Sequence, residues 1–316
     1  MKPLISVLML SYNHDDYIRF ALESVVLNKS ERFDLEIIVI DDGSDDDTVK
    51  ILNEFKSSSS VPVTLIEKPH KGVTSIAANF NELIAMANGT YISFLASDDY
   101  FEENRFIAQL QLMQTNQDVV LCYANGVNCR SGEKLENVHP PEIRQLLESK
   151  DPFEVHKFIT NNVPALYIQT ILVRAKFIKS IVAFDEDLIA DDWVFNINVF
   201  REIHLRGLKF DYVNEVVFTR NLHSDNTSAN IRVHFERRIQ VVERYCNSDK
   251  RLTEMIVFGA AVHSALQLDF DAIPTYFVRV KKSFWLPLDF VVWATRRLVR
   301  KLDGVVNNRS QSDGTI

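Results

Sequence analysis

The segment from Leu35 to Ser44, LEIIVIDDGS, decides the fold class of this chain of 316 residues. Its β-branched run ends at Asp41-Asp42-Gly43, the pattern of a buried strand that runs into a turn. Similar short apolar runs occur on either side, over 4–10, 61–67 and 91–95, and segments with helical spacing of apolar residues separate them. Because fully apolar strands that alternate with helices form parallel sheets covered on both faces, we predict an α/β fold.

The second half of the chain is less regular. Over 125–165 we expect an excursion that contains one helix, and after residue 230 the apolar spacing is mostly helical. The pattern therefore predicts two domains, 1–229 and a helical region over 230–316. The other elements predicted are helices over 17–25, 46–55, 75–87, 102–116 and 190–206 and strands over 119–123, 167–173 and 210–218.

Composition excludes several classes of protein. The chain is 46% hydrophobic and has a formal net charge of −8, which is typical of a globular protein and unlike a general nucleic-acid binder. Its three cysteines have no CxxC spacing, which predicts reduced thiols of a cytoplasmic protein and no zinc site. The short apolar run near the N-terminus has no cleavage pattern, and no uncharged run is long enough to cross a membrane.

Acidic pairs follow two predicted strands. Asp41 and Asp42 end the second strand, and Asp98 and Asp99 come just after the fourth. A turn with a helix N-cap accounts for either pair alone. Since ligands bind at the carboxyl ends of strands in open α/β sheets, two pairs at one edge favour a site for Mg²⁺ or Mn²⁺, which prefer oxygen ligands.

Two later groups are candidates for the same cleft. Asp191-Asp192 opens a predicted helix, as an N-cap or as a general base. Arg220 and His223 lie in a polar loop after a strand, where they could reach a diphosphate or a metal.

Taken together, these pieces resemble the inverting family-2 nucleotide-sugar glycosyltransferases, which have a GT-A fold. The likeness runs from about Leu4 to Ser228, and its pieces stand in family order. They are Ser6 through Asn13, Val39 through Ser44, Asn81 through Gly89, Ser97-Asp98-Asp99, Phe184-Asp185-Glu186 with Asp191-Asp192, and Arg220 with His223, Asn226 and Ser228.

The resemblance implies roles for individual residues. Tyr12 would pack on the nucleobase and Asp42 would bond its ring, while Asp41 supports the loop. The residues expected at the nucleotide are Leu10, Tyr12, Asp41, Asp42, Asn81, Ser97, Asp98, Arg220 and His223. Those expected at the Mn²⁺ or Mg²⁺ ion are Asp99, Asp98 and His223. Asp192, with Asp191 as its neighbour, would be the base that deprotonates the acceptor.

Two positions depart from the usual family pattern. Ala96 stands where the family commonly has an Asp, which weakens the expected ribose contact, and Leu10 stands where a polar residue is frequent. We therefore keep metal dependence on the later pair. A single displacement that inverts the anomeric centre is expected, with UDP as the nucleotide by family habit.

A basic, aromatic segment lies near the end of the chain. Residues 276–301 carry seven basic side chains and one acidic side chain around an apolar stretch with two tryptophans. Such a segment either packs on the core with solvated ends or lies on an anionic membrane. The expected partners are thus a nucleotide-sugar donor, a glycan or lipid-linked acceptor and the inner membrane face through 280–301, with a homodimer left open.

Other classes remain as alternatives. Acids at strand ends also suit a receiver-type phosphoacceptor module, although that leaves Asp191-Asp192 and the Arg220 loop without a role. A nucleotidyltransferase is less favoured, because no Gly-rich basic loop follows the first strand. A non-catalytic nucleotide-sugar-binding relative would carry the same motifs.

Overall fold

A computed structural model describes residues 2–189, 192–223, 231–266 and Tyr276. The chain divides into two units, Met1–Asn226 and Thr227–Ile316. The predicted domain boundary, after residue 229, lies outside the described residues.

The first half of the larger unit alternates strands with helices. Strands β1, β2 and β4 are mostly apolar because both of their faces are covered, and every residue of β2 from Ile37 to Asp41 is buried, whereas the edge strand β3 is only partly covered. The elements are β1 (Leu4–Ser11), α1 (Ile18–Leu27), β2 (Asp34–Asp41), α2 (Thr48–Ser58), β3 (Val63–Glu67), a 3₁₀ turn (Gly72–Ser75), α3 (Ile76–Met86) and β4 (Tyr91–Phe94).

The second half of this unit adds helices of varied length and both parallel and antiparallel strands. Its longest described helix, α8, buries residues all round and is the centre of this half. The elements are β5 (Tyr100–Phe101), α4 (Ile107–Thr115), β6 (Val119–Arg130), β7 (Glu133–Asn137), α5 (Pro141–Glu148), α6 (Pro152–Asn161), a 3₁₀ turn (Ile168–Thr170), β8 (Leu172–Arg174), α7 (Ala175–Ile178), α8 (Asp192–Leu205) and β9 (Lys209–Asn221).

One sheet joins these strands, in the order β3-β2-β1-β4-β8-β6-β9-β5, with β7 paired to β6. Strands β3, β2, β1 and β4 are parallel, as are β6 and β9, whereas β8, β5 and β7 pair antiparallel. The α/β class is confirmed. The strand order reverses beside β1, so the carboxyl ends of β1 and β4 form the switch point at which such sheets bind ligands.

The prediction over 167–173 is only partly right, since a 3₁₀ turn replaces the first part of the expected strand. Two buried side chains capture the carbonyl groups there. Arg105 donates to Gln169 O at 3.1 Å and to Ile171 O at 2.7 Å, and Gln109 donates to Thr170 O at 2.9 Å. Carbonyls engaged by side chains do not join a strand ladder, so β8 begins later, at Leu172.

The excursion over 125–165 is smaller than predicted, because β6 continues to Arg130 and two helices, α5 and α6, follow β7. Gly126 belongs to the extended strand and is required there. A Cβ at this position would lie 2.2 Å from Phe218 Cε1 on β9, so only glycine allows the two strands to approach.

The smaller unit contains α9 (Ile231–Tyr245) and α10 (Lys250–Leu266), in agreement with the helical spacing after residue 230. Apart from Tyr276, the basic segment 276–301 lies outside the described residues. Among the helices that the structure describes, none is long and apolar enough to span a bilayer.

Candidate active site at the ends of β1 and β4

A pair of hydrogen bonds joins the segments that follow β1 and β4. Ser97 Oγ donates to the carbonyl of Leu10 at 3.1 Å, and it lies 2.6 Å from His14 Nδ1. Ser97 is buried, and Leu10 takes part through its backbone. These two hydrogen bonds therefore hold the segments at the switch point in fixed positions.

Asp41 holds the turn after β2. Its carboxylate accepts hydrogen bonds from Ser11 Oγ at 2.8 Å, from Ser44 Oγ at 2.7 Å and from the backbone N–H groups of Gly43 and Ser44. The side chain is fully buried. Both of its oxygens accept hydrogen bonds from β1 and from the turn, so Asp41 shapes the loop.

Asp42 points into a cluster at the same edge, which we call the Tyr12 cluster: Tyr12, Asp42, His70, Ser75 and Asn79. Asp42 Oδ1 accepts from Ser75 Oγ at 3.0 Å and from Asn79 Nδ2 at 3.1 Å. His70 Nδ1 lies 2.9 Å from Asp42 Oδ2 and is hydrogen-bonded at 2.9 Å to the backbone carbonyl of Asp42. The His70 ring stacks on Tyr12, with ring centroids 4.0 Å apart and an angle of 11° between the planes.

Sequence reasoning missed His70, Ser75 and Asn79. The available signal was their position, since His70 follows β3 and the other two lie just before and within the first turn of α3. The rule that ligand-binding residues follow the strands of a parallel sheet applies to β3 as well as to β2. The polar segment from Lys68 to Gly72 could therefore have been included.

The side chains of Asp98 and His223 contact each other beside the switch point. His223 Nε2 lies 3.2 Å from Asp98 Oδ2, and the two side chains are 11% and 13% exposed. The imidazole stacks on Tyr17 at 4.4 Å between centroids, which fixes its plane. One carboxylate and one imidazole, both reachable from the cleft, fit a divalent cation of the Mn²⁺ or Mg²⁺ type.

The expected third ligand has a different environment. Asp99 is 4% exposed, and its Oδ1 accepts from Asn221 N–H at 2.9 Å. Burial, and next the charge of Asp98, raise the pKa of Asp99 well above its ordinary value. Within the described ranges, no three acidic, histidine or cysteine side chains form a metal-holding group. A cation held between Asp98 and His223 would need further ligands, such as a diphosphate and water.

Arg220 lies over the ring of Tyr167, 5.2 Å from its centroid, and its Nη1 is 3.3 Å from Tyr167 Oη. It is close enough to Asp99 to lower the pKa of that carboxyl, against the effect of burial. The guanidinium thus brings positive charge to the acidic edge of the cleft.

Asp192 is the first residue of α8, and its Oδ2 accepts a hydrogen bond from Ile168 N–H at 3.3 Å. Its charge contributes to the raised pKa of Asp99, which puts the two carboxylates in one electrostatic neighbourhood. The neighbouring candidate, Asp191, lies outside the described residues, as do Asn226 and Ser228.

The amide of Asn81 bonds a different segment of the chain. Its Nδ2 donates to Phe184 O at 2.9 Å and to Glu186 Oε1 at 2.8 Å, and its Oδ1 accepts from Phe184 N–H at 3.3 Å. Its amide therefore holds the Phe184 to Glu186 segment, which leads towards α8.

Comparison with known proteins places this geometry in context. The model of the family described as glycosyl transferase family 2 matches residues 6–178. A curated relative, the chondroitin synthase of Pasteurella multocida strain Pm70, is 26% identical over 249 residues, which are 78% of this chain and 24% of the synthase. The chain thus spans about a quarter of the length of that relative.

Solved structures share the fold. S. aureus TarS 1-349 in complex with UDP-GlcNAc has a TM-score of 0.57 at 14% identity and covers 88% of this chain and 79% of its own. The mannosyltransferase PcManGT from Pyrobaculum calidifontis, in complex with GDP-Man and Mn²⁺, has a TM-score of 0.59 at 13% identity, over 94% of this chain and 81% of its own. At such identities the likeness concerns the fold.

Proposed function

Because the chain belongs to glycosyl transferase family 2, we propose that it transfers a sugar from a nucleoside-diphosphate sugar to a hydroxyl group of a glycan. One observation carries the proposal: the Tyr12 cluster and the Asp98–His223 pair lie at the sheet edge where β1, β2 and β4 end. The first offers an aromatic ring and a carboxylate to a nucleobase, and the second offers ligands to a cation on a diphosphate. Family membership favours a transferase over a phosphoacceptor module.

We propose UDP as the nucleotide. The carboxylate of Asp42 can accept a hydrogen bond from a base that presents a ring N–H, as uracil does at N3. The UDP-GlcNAc complex of TarS, a protein of the same fold, supports this choice.

The proposed cation site consists of Asp98 and His223, whose ligand atoms lie 3.2 Å apart. When bound there, Mn²⁺ or Mg²⁺ would act as a Lewis acid that neutralises charge on the diphosphate. The Mn²⁺ complex of PcManGT supports a divalent ion in this fold. Arg220 would add a positive charge in a planar, donor-rich guanidinium that suits a diphosphate.

For the chemical step, we propose that Asp192 accepts the proton of the acceptor hydroxyl. As the hydroxyl oxygen forms a bond to the anomeric carbon, the bond from that carbon to the diphosphate oxygen breaks, and its electron pair leaves with the diphosphate. One displacement of this kind inverts the anomeric configuration. Ile168 N–H donates to Asp192 Oδ2 and so orients the carboxylate.

The acceptor is proposed to be a growing polysaccharide or a lipid-linked glycan. The chondroitin synthase similarity supports the first. The basic segment 276–301 favours an acceptor at the inner face of a membrane, to which the protein would bind peripherally from the cytoplasm.

A thermal-shift panel tests the proposal directly. UDP-sugars and GDP-sugars are each added with Mn²⁺, with Mg²⁺ and with excess chelator, since a ligand that binds the folded chain raises Tm by mass action. We expect a UDP-sugar with Mn²⁺ or Mg²⁺ to give the largest shift, and chelator to reduce it. No shift with any nucleotide sugar would refute the function, and shifts indifferent to chelator would refute the metal site.

A further inference from the structure

The aromatic ring proposed to receive the nucleobase is already covered by another ring of the same chain. His70 lies parallel to Tyr12, with 4.0 Å between ring centroids and 11° between planes. At the same time its Nδ1 lies 2.9 Å from Asp42 Oδ2 and forms a 2.9 Å hydrogen bond with the backbone carbonyl oxygen of the same residue. A flat ring on Tyr12 with a ring nitrogen against Asp42 is the arrangement that a bound uracil would adopt.

We infer that His70 is an internal substitute for the nucleobase, which fills the base pocket until a nucleotide displaces it. The inference rests on the proposed function, because it takes the Tyr12 cluster as the site of the uracil ring. It goes further in stating that the chain competes with its own donor for this pocket.

The hydrogen bonds of Asp42 explain why the two rings compete. Asp42 Oδ1 already accepts from Ser75 Oγ and Asn79 Nδ2, at 3.0 and 3.1 Å. A base that donates a ring N–H to this carboxylate must therefore approach Oδ2, which faces His70. Stacking on the covered face of Tyr12 and bonding to Oδ2 both require His70 to leave.

The segment that carries His70 can release it without unfolding. The His70 side chain is 41% exposed, so a rotation about its side-chain bonds moves the ring into solvent. The segment is held at both ends, by Lys68, which bonds Asn79 and Glu82, and by Ser75, which bonds Asp42. The ring can therefore move while the backbone of the pocket keeps its shape.

A pocket that is partly closed lowers the apparent affinity by the fraction of molecules in which it is open. Removal of the imidazole should accordingly tighten nucleotide binding. Since a stacked ring and one hydrogen bond at a half-exposed position are worth a modest free energy, we expect a gain of roughly three- to tenfold in affinity.

The experiment is a titration of the full-length chain with UDP in the presence of Mn²⁺, and separately with uridine, for the wild type and for His70→Ala. We expect Kd to fall by a similar factor for both probes, because uridine lacks the diphosphate but carries the base. Lys71→Ala is the matched control. Its exposed side chain lies next to His70 in sequence, and its removal should leave uridine affinity unchanged.

Weaker or unchanged uridine binding by His70→Ala would overturn the inference, because the ring would then be a wall of the pocket or a bystander. If the wild type binds UDP but His70→Ala does not bind it more tightly, the inference alone fails. If neither protein binds any nucleotide, the proposed function fails with it. A structure of the UDP complex gives a second test: we expect His70 to be off Tyr12, and a complex with the two rings still stacked would refute the exchange.

Discussion

At the scale of single residues, the two acidic pairs divide their work in the same way. Asp41 and Asp99 accept hydrogen bonds from backbone N–H groups, whereas the carboxylates of Asp42 and Asp98 each face an imidazole. In each pair one carboxylate builds the loop and the other is directed to the cleft. The sequence pattern identifies the pairs but not the division, because the partner of each carboxylate depends on which segment packs over it.

The proposed base can be tested by a nearly isosteric change. Asp192→Asn keeps the volume and an acceptor oxygen for Ile168 N–H but cannot take a proton. We expect kcat to fall by about 10² to 10⁴, the usual contribution of a general base, with UDP affinity unchanged. Turnover is measured as UDP release, and UDP affinity by calorimetry.

Asp118→Asn is a suitable control for that variant, because Asp118 is an exposed acid that contacts Lys209 on the surface. It should retain full turnover. Near-normal turnover in Asp192→Asn would transfer the role of base to another group, and Asp191 would be examined next.

The buried His139 should make the free energy of unfolding depend on pH. His139 is fully buried beside the rings of Tyr123 and Tyr167, and burial lowers its pKa to about 3. In the unfolded chain the imidazole binds a proton below about pH 6.5, while in the folded chain it stays neutral, so acid favours unfolding. Between pH 6.5 and 4.5 this group should cost about 2 to 3 kcal/mol of the free energy of unfolding.

His139→Phe removes the titrating group and keeps an aromatic ring. Urea unfolding at pH 7 and pH 4.5 should show a smaller loss of stability in this variant than in the wild type. His204→Ala, at an exposed position of α8, should lose as much as the wild type. An equal loss in His139→Phe would mean that His139 does not govern the acid sensitivity.

At the scale of elements, the sequence predicts best where one period dominates. The first four strands and three helices lie close to their predicted positions, because each strand is mostly apolar and the helices have apolar residues at helical spacing. Although α8 and β9 lie close to the helix and strand predicted over 190–206 and 210–218, prediction is poorer over 125–173. There Gly126 and Asn125 indicate a turn but stand in β6, and long-range donors from Arg105 and Gln109 shorten β8.

The sequence likewise predicts some features of the candidate site better than others. Residues directly after predicted strands, such as Tyr12, Asp42 and Asp98, are at the cleft, since the sheet itself places them there. The covering of Tyr12 by His70, and the engagement of Asn81 with Phe184, depend on how loops fold back over the edge. No local pattern specifies such contacts.

The turn after β2 gives an element-scale prediction. Gly43 has φ +79°, and a Cβ there would lie 2.5 Å from His70 N and 2.9 Å from Lys68 O. Gly43→Ala should therefore lower the free energy of unfolding by about 2 to 4 kcal/mol, because it adds a strained left-handed backbone and a steric clash. Gly132→Ala shares the left-handed backbone, with φ +84°, but its Cβ would meet no atom within 4 Å.

Urea unfolding of the two glycine variants separates the two costs. Gly132→Ala should lose only about 1 kcal/mol, the backbone cost by itself. If both variants lose the same amount, the loop that carries His70 yields to the added methyl group, and it is not held as firmly against the β2 turn as the contacts indicate.

At the scale of the whole molecule, charge is unevenly distributed. Residues 276–301 have a net charge of +6. Because the whole chain has a net charge of −8, the remaining residues together carry −14. Acid is thus concentrated in the part that is proposed to bind a metal-bound nucleotide. The basic segment is the part suited to an anionic surface, where each basic residue contributes about 1 kcal/mol.

Vesicle co-sedimentation tests that division. The full chain should sediment with vesicles that contain anionic lipid and remain in solution with neutral ones. A form without residues 280–316 should remain in solution with both. Equal sedimentation of the two forms on anionic vesicles would show that the basic segment does not carry membrane binding.

The buried Arg105 has a consequence for the molecule in salt. Its guanidinium donates hydrogen bonds to Ser93 Oγ and to the carbonyls of Gln169 and Ile171. It also lies about 5 Å from the ring centroids of Phe101 and Phe106. Neutral dipoles and ring faces therefore stabilise its charge. Mobile ions weaken exposed ion pairs such as that of Arg19 with Glu54, but they do not reach a group in the interior. The joint between α4 and the segment leading to β8 is therefore one that ionic strength leaves intact.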